Sequence, residues 1–197
     1  MIIVDVGASG FPSGNPFVST SGMYEAEIYL FEPLLEYYNK LEELYGERDN
    51  FHLYNLALSD RKGEQNFFVT GKPNCSSLRK PNLENEIVGA RKNLNEFEII
   101  NVKVETLENV LGHLDVIDYL KLDTQGTEYE VLVGAGKLLD RIGKIHCEIN
   151  HTEWYEGQKY GEEITRLLTD RGFELTGSRP SNYYTDYTYT NRNLHRK

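Results

Sequence analysis

Three groups of residues in this sequence have types and spacings suited to chemistry. Near the start, Val4-Asp5-Val6-Gly7-Ala8-Ser9-Gly10 sets an acid ahead of a glycine-rich turn. Glycine adopts positive φ at no Cβ cost and lets the backbone pass close beneath a ligand. The acid can accept hydrogen bonds from a cationic amino-acid ligand or hold neighbouring amides. Further on, Glu32 closes the apolar run Ile28 to Phe31. A carboxylate at the end of a second strand suits the two hydroxyls of a ribose. Together the two features favour an adenosine-type ligand. The third group is Ile145-His146-Cys147-Glu148-Ile149-Asn150. The period of two along a strand puts His146, Glu148 and Asn150 on one face, with His151 just past its end. Glu148 or His151 is then the candidate base for taking a proton from a hydroxyl. His146, Glu148 and His151 can also be drawn with Asp123 as a metal site. Spacing along a strand is unspecific for metals, and the metal-free reading is preferred.

A nicotinamide dinucleotide is the rival ligand. Its fingerprint brings backbone amides to a pyrophosphate through a G-x-G-x-x-G turn. Gly7, Gly10 and Gly14 have a different spacing, and Pro12 and Pro16 interrupt the helix start that a phosphate would need. S-adenosylmethionine carries no phosphate and needs no such turn. The residues therefore favour a methyl donor over a dinucleotide, with an NAD(P)-dependent oxidoreductase and a non-catalytic nucleotide-binding module as the alternatives.

The elements that must position these residues read as strands alternating with helices. Ile2 to Val6 and Ile28 to Phe31 are β-branched or apolar runs without polar alternation, the pattern of buried parallel strands. Pro33 suits a helix start, and Leu34, Tyr37, Leu41 and Leu44 recur at helical spacing up to Gly46. Phe51 to Leu58 is the next expected strand, then Gln65 to Thr70, a short extended piece at Val102 to Val104, and Val116 to Leu122. Thr127 and Glu130 have the form of a capping box, with Val131, Leu132, Ala135 and Leu138 continuing a helix. Ile142 to Ile149 follows as a strand, Gly161 to Arg171 as a helix, and Phe173 to Thr176 with the tyrosine-rich Tyr183 to Thr190 as a hairpin. Residues 71–98 are polar and proline-interrupted, an excursion expected to carry one short helix near 84–94 and to cover the site as an acceptor wall. This pattern predicts one α/β domain over 1–197, a mostly parallel twisted sheet with helices on both faces and a C-terminal antiparallel hairpin strand. Ligands in such sheets sit beyond the carboxyl ends of the strands, where the order reverses.

Composition narrows the partners. Thirty-one acidic against twenty-one basic residues give a formal charge of −10, which repels polyanions and argues against nucleic acid as substrate. Cys75 and Cys147 form neither a disulfide framework nor a CxxC pair, which suits a reducing cytoplasm. No apolar run reaches the ~20 residues of a membrane span, and the opening residues turn acidic too early for a secretory signal.

The stretch Ile117-Asp118-Tyr119-Leu120-Lys121-Leu122-Asp123-Thr124-Gln125-Gly126-Thr127-Glu128-Tyr129-Glu130-Val131-Leu132-Val133-Gly134-Ala135 resembles the signature block of the FkbM-type methyltransferases. Val4 to Ala8, Phe31-Glu32-Pro33, Asn55 to Asp60 with Gly63-Glu64, and Val104 to Leu107 resemble further blocks of the family in the same order. The resemblance implies a Rossmann-like class I methyltransferase fold, S-adenosyl-L-methionine as cosubstrate, and O-methylation of a sugar or other hydroxyl-bearing small molecule. It places Asp5, Gly7 and Ala8, with the adjoining Ser9, around the methionine end, Glu32 at the ribose, and Ala57 and Leu58 at the adenine. Asp123 is assigned to the donor's ammonium or to the acceptor. Two departures stand out. Gln125 occupies a place where the family commonly has Glu, and the segment 11–22 is richer in Gly, Pro and Ser than the family's first helix. Lys121 is expected to pair with a nearby carboxylate, and Trp154 and Tyr155 to serve packing.

Overall fold

The computed structural model describes residues 1–13, 15–18 and 25–194. Its larger sheet has seven strands: β1 (Ile2–Val6), β2 (Glu27–Phe31), β3 (Phe51–Tyr54), β7 (Ile117–Leu122), β8 (Ile142–Asn150), β9 (Phe173–Pro180) and β10 (Tyr184–Asn191). Their order is β3-β2-β1-β7-β8-β10-β9. The first five run parallel, and β10 lies antiparallel between β8 and β9. The order reverses between β1 and β7, so the crevice beyond their carboxyl ends is the expected ligand position.

Alternation along the strands divides the core in two. Val4, Val6, Tyr29 and Phe31 belong to one apolar cluster with Leu107 and Leu111 of α4 (Leu107–Leu111), Val131 and Leu132 of α5 (Glu128–Gly134) and Ile164 and Leu168 of α6 (Gly161–Asp170). Ile3, Ile28 and Leu30 belong to another, with Leu41 and Tyr45 of α1 (Leu35–Tyr45). Successive side chains of a strand point to opposite faces, so helices cover both sides of the sheet. Each such buried aliphatic side chain contributes roughly 1.5–3 kcal/mol.

Three local expectations give way. The run Phe51 to Leu58 is two strands, β3 and the two-residue β4 (Ala57–Leu58). Asn55 causes the break by turning its amide to the carbonyls of Glu32 and Pro33. β4 joins β5 (Gly63–Thr70) and β6 (Phe97–Glu105) in a second, three-stranded sheet. The excursion between β5 and β6 holds two short helices, α2 (Glu86–Gly89) and α3 (Lys92–Asn95), where one was expected. It also has a core of its own, in which Cys75, Val88 and Leu94 pack on Trp154 and Tyr155. The capping box at Thr127 does not form: Thr127 Oγ1 donates to the Thr124 carbonyl instead.

Candidate active site

Beyond the carboxyl ends of β1, β2, β4 and β7 lies a cavity of about 290 Å³. Val6, Gly7, Ser9, Glu32, Ala57, Leu58 and Asp123 all line it. Gly7 sits at φ +81°, and a Cβ there would stand 2.0 Å from the Asp123 carbonyl oxygen. The turns after β1 and β7 thus approach more closely than any side chain permits, and glycine is obligatory here. The walls divide by chemistry. Phe31, Leu56, Ala57, Leu58 and Phe67 give an apolar slot, while Glu32, Asp123 and Thr124 give polar groups.

Glu32 is 4% exposed, and its Oε1 accepts from the Leu34 amide at 2.8 Å. Burial pushes its carboxyl up to about 7; the Leu34 amide pulls in the opposite direction. Asp5 does not line the cavity. It is 1% exposed and accepts from Lys121 Nζ at 3.2 Å and Asn15 Nδ2 at 2.9 Å. Asp5 and Lys121 are register partners across β1 and β7, so strand pairing itself sets the ion pair. Burial raises Asp5, while Lys121 and Asn15 lower it. Lys121 also reaches Asp123 at 3.4 Å, and the two carboxylates hold its ammonium well above the ordinary range despite burial. Ala8 is fully buried in the α1-side cluster and likewise stands behind the cavity wall.

Asp123 is shared by three cavities. The second, about 820 Å³, adds His146, Glu148, Arg179 and Asp186; the third, about 580 Å³, shares Gln125 with the first and adds Glu148, Asn150, Arg91 and Trp154. Glu148 is common to the second and third, and lies in neither wall of the first. Burial and the neighbouring Asp123, Asp186 and Glu128 charges raise its carboxyl to about 8. His151 is in none of these walls. It is exposed, and its Nε2 is 2.8 Å from Thr185 Oγ1. His146 contacts Thr188 Oγ1 through Nδ1 at 3.3 Å. Among the described residues no group of three or more His, Cys, Asp or Glu side chains is arranged to hold a metal.

Two residues that the sequence did not single out as organisers shape the turn after β7. Gln125 sits at φ 57°, a left-handed conformation unusual for a residue with a side chain. From there its Nε2 donates to Asp123 Oδ1 at 2.7 Å and lies 3.5 Å from Glu148 Oε1, while its Oε1 accepts from the Tyr155 hydroxyl at 2.8 Å. Glu128, fully enclosed, holds that conformation: it accepts from the amides of Thr124 at 2.8 Å and Gly126 at 3.1 Å. Only its position inside the signature block hinted at such a role.

The sheet order, the glycine-lined crevice and the buried carboxylate at the end of β2 define the class of protein, a Rossmann-like α/β fold arranged as in class I methyltransferases. The sequence model described as the methyltransferase FkbM domain matches residues 5–175, and the chain belongs to that family. With the family, S-adenosylmethionine follows as the methyl donor. The 2-O-methyltransferase NoeI of Sinorhizobium fredii is 26% identical over 201 residues, covering 98% of this chain and 80% of that one. Among solved structures, fibrillarin of Aeropyrum pernix in complex with S-adenosyl-L-methionine superposes with a TM-score of 0.51 at 15% identity, covering 95% of this chain and 65% of the other. That likeness speaks for the fold alone. The magnesium protoporphyrin IX methyltransferase of Synechocystis gives a TM-score of 0.46 at 13% identity, covering 96% and 69%.

Proposed function

We propose that this chain transfers the methyl group of S-adenosylmethionine to a hydroxyl oxygen of a small, sugar-like acceptor, with Glu148 as the base. The observation that carries the reading is the position of Asp123 and Glu148: Asp123 borders both the glycine-lined cavity and the two cavities that contain Glu148. Donor and acceptor placed on either side of Asp123 would meet there. The residues of the first cavity fit the donor. Glu32 offers a carboxylate to a diol, the slot of Leu56, Ala57, Leu58 and Phe67 takes a flat ring, and Asp123 with the turn Gly7 to Ser9 receives a charged amino-acid end. Asp5 and Ala8 act from behind the wall, Asp5 by holding Lys121 and through it Asp123.

Bound in this way, the donor supplies an electrophilic methyl group on a sulfonium. The chain's own residues orient the acceptor, exclude water and receive one proton. The acceptor oxygen forms a bond to the methyl carbon, the carbon–sulfur bond breaks, and the hydroxyl proton passes to Glu148. Orientation of the two reactants accounts for a large part of the barrier reduction, and a positioned base adds typically about 10²–10⁴-fold. A carboxyl raised to about 8 suits the task, because it is basic enough to attract the proton near neutral pH. His151, held by Thr185 outside the cavities, is the weaker candidate.

The relative NoeI, a 2-O-methyltransferase, supports an oxygen acceptor. The excursion 71–98 serves as a wall, since Pro73, Asn74, Ser76 and Leu78 line the first cavity and Lys72, Arg91 and Asn93 the third. Its packing on Trp154 and Tyr155 ties it to the domain, so removing ten residues from its middle would expose apolar surface. The buried free thiols of Cys75 and Cys147 suit a reducing compartment. No helix among the described residues is long and apolar enough to cross a membrane. Incubation with methyl-labelled donor and a panel of mono- and disaccharides tests the reading. Label on oxygen together with S-adenosylhomocysteine release is expected; donor binding without turnover on any acceptor would favour a non-catalytic module.

A further inference from the structure

The third cavity contains cations that a neutral acceptor would leave unused. Arg91 lies over two rings, with its guanidinium carbon 4.9 Å from the centroid of Tyr183 and 5.5 Å from that of Trp154. Among the described residues its side chain has no ion-pair or hydrogen-bond partner, whereas Arg79 is matched to Glu130 and Arg171 to Asp140. Lys72 lines the same cavity; its ammonium meets the Cys75 thiol but has no carboxylate partner among them. A guanidinium stacked on aromatic faces loses torsional freedom but keeps its N–H edge available, and that edge matches a carboxylate or phosphate bidentately. It also covers ring faces on which a neutral sugar would stack. In a chain of net charge −10, an anion must be drawn in by local cations against the field of the whole molecule.

We propose that this cavity is the acceptor subsite and that it recognises an anionic substituent, a carboxylate or a phosphate, on a hydroxylated sugar-like acceptor. Arg91 reads the anionic group and Lys72 adds a second charge. The amides of Asn74, Asn93 and Asn150, which line the same cavity, are available to hydroxyls. Glu148 stands in that wall as well, so an acceptor held by its anionic end at Arg91 keeps a hydroxyl in reach of the base. The proposal rests on the methyltransferase reading, since it gives that reaction its acceptor class.

The test is calorimetric titration of glucuronate, glucose 6-phosphate and glucose into the protein saturated with S-adenosylhomocysteine. At least one charged sugar should bind about 10-fold or more tightly than glucose, the tenfold step corresponding to about 1.4 kcal/mol. The tighter of the two charged sugars identifies the anion. Arg91→Gln should erase the difference, Arg91→Lys should restore part of it, and neither should change S-adenosylhomocysteine affinity. Inorganic phosphate titrated without donor should bind the parent and not Arg91→Gln, a readout independent of catalysis. Equal affinities for all three sugars, or a preference that survives in Arg91→Gln with an unchanged melting temperature, overturns the proposal. Failure of the parent to bind S-adenosylhomocysteine would instead overturn the methyltransferase reading.

Discussion

Replacing Glu148 by Gln should make the protein less active and, at alkaline pH, more stable. The carboxyl moves from 4.5 to about 8 on folding, chiefly through burial and then through Asp123 and Asp186. A folded-state value above the unfolded one means that the folded protein holds the proton more tightly. Stability from this group is therefore fully present below about 4.5 and is lost as pH rises through about 8. At about 1.4 kcal/mol per pH unit, the ionised form costs at most ~5 kcal/mol. Relaxation of neighbouring charges reduces that, and about 2 kcal/mol is expected above pH 8.5. For a chain of this size it corresponds to a melting temperature ~4–8 °C higher in Glu148→Gln than in the parent. The lost contact is small, since Gln125 Nε2 stands 3.5 Å away. Turnover should fall by ~10²–10⁴-fold. In the parent it should rise about tenfold per pH unit up to about 8 and then level, and in the variant this limb should be absent. Differential scanning fluorimetry at pH 6 and pH 9, with initial rates over the same range, gives both quantities. A variant destabilised equally at both pH values, or one with the parent's rate profile, refutes the reasoning.

Two further substitutions separate the structural from the chemical part of the site. Lys121→Met should lower stability by roughly 3–5 kcal/mol, because it leaves Asp5 buried without its cation; urea unfolding measures this, and a loss below ~1 kcal/mol would show that Asp5 is held by other groups. His151→Ala should change turnover by no more than about twofold, the consequence of a surface substitution. A large drop in kcat with donor affinity intact would return His151 to the role of base.

The parallel half of the sheet was legible because Ile2–Val6, Ile28–Phe31 and Val116–Leu122 are apolar on both faces, as burial between two helix layers demands. β6 was legible only at Val102 to Val104: the four consecutive positions before it, Glu98 to Asn101, are exposed and give no buried run, and its pairing with β5 joins segments separated by the excursion. Thr127 and Glu130 matched a capping pattern, but Glu128 already held the turn amides of Thr124 and Gly126, and Thr127 turned back to the Thr124 carbonyl. The candidate site divides the same way. Gly7, Ser9, Glu32 and Asp123 come together because they follow the carboxyl ends of β1, β2 and β7 near the reversal of sheet order, and Ala57 and Leu58 join them from β4 of the second sheet. The part of Gln125 lies in a left-handed φ and in contacts with residues 30 positions away, neither of which local sequence encodes. His151 fell outside because the chain turns at the end of β8, where its side chain meets β10 rather than the crevice.

The central claim is that the carboxylate ending β2 recognises the ribose of S-adenosylmethionine. Glu32 is buried in the wall of the first cavity with one oxygen engaged by the Leu34 amide. Above pH 8, where a carboxyl raised to about 7 is mostly ionised, a hydrogen bond to the charged group contributes roughly 1.5–3 kcal/mol, so Glu32→Ala should weaken S-adenosylhomocysteine binding there by about 10- to 150-fold. The measurement is isothermal calorimetry of S-adenosylhomocysteine with parent and variant, with NADH as the competing ligand and thermal melts confirming that both are folded. Tight binding by the parent, the stated loss in Glu32→Ala and no NADH binding are the predicted results. Equal affinities in two folded proteins would contradict the ribose assignment, and NADH bound more tightly than S-adenosylhomocysteine would contradict the account as a whole.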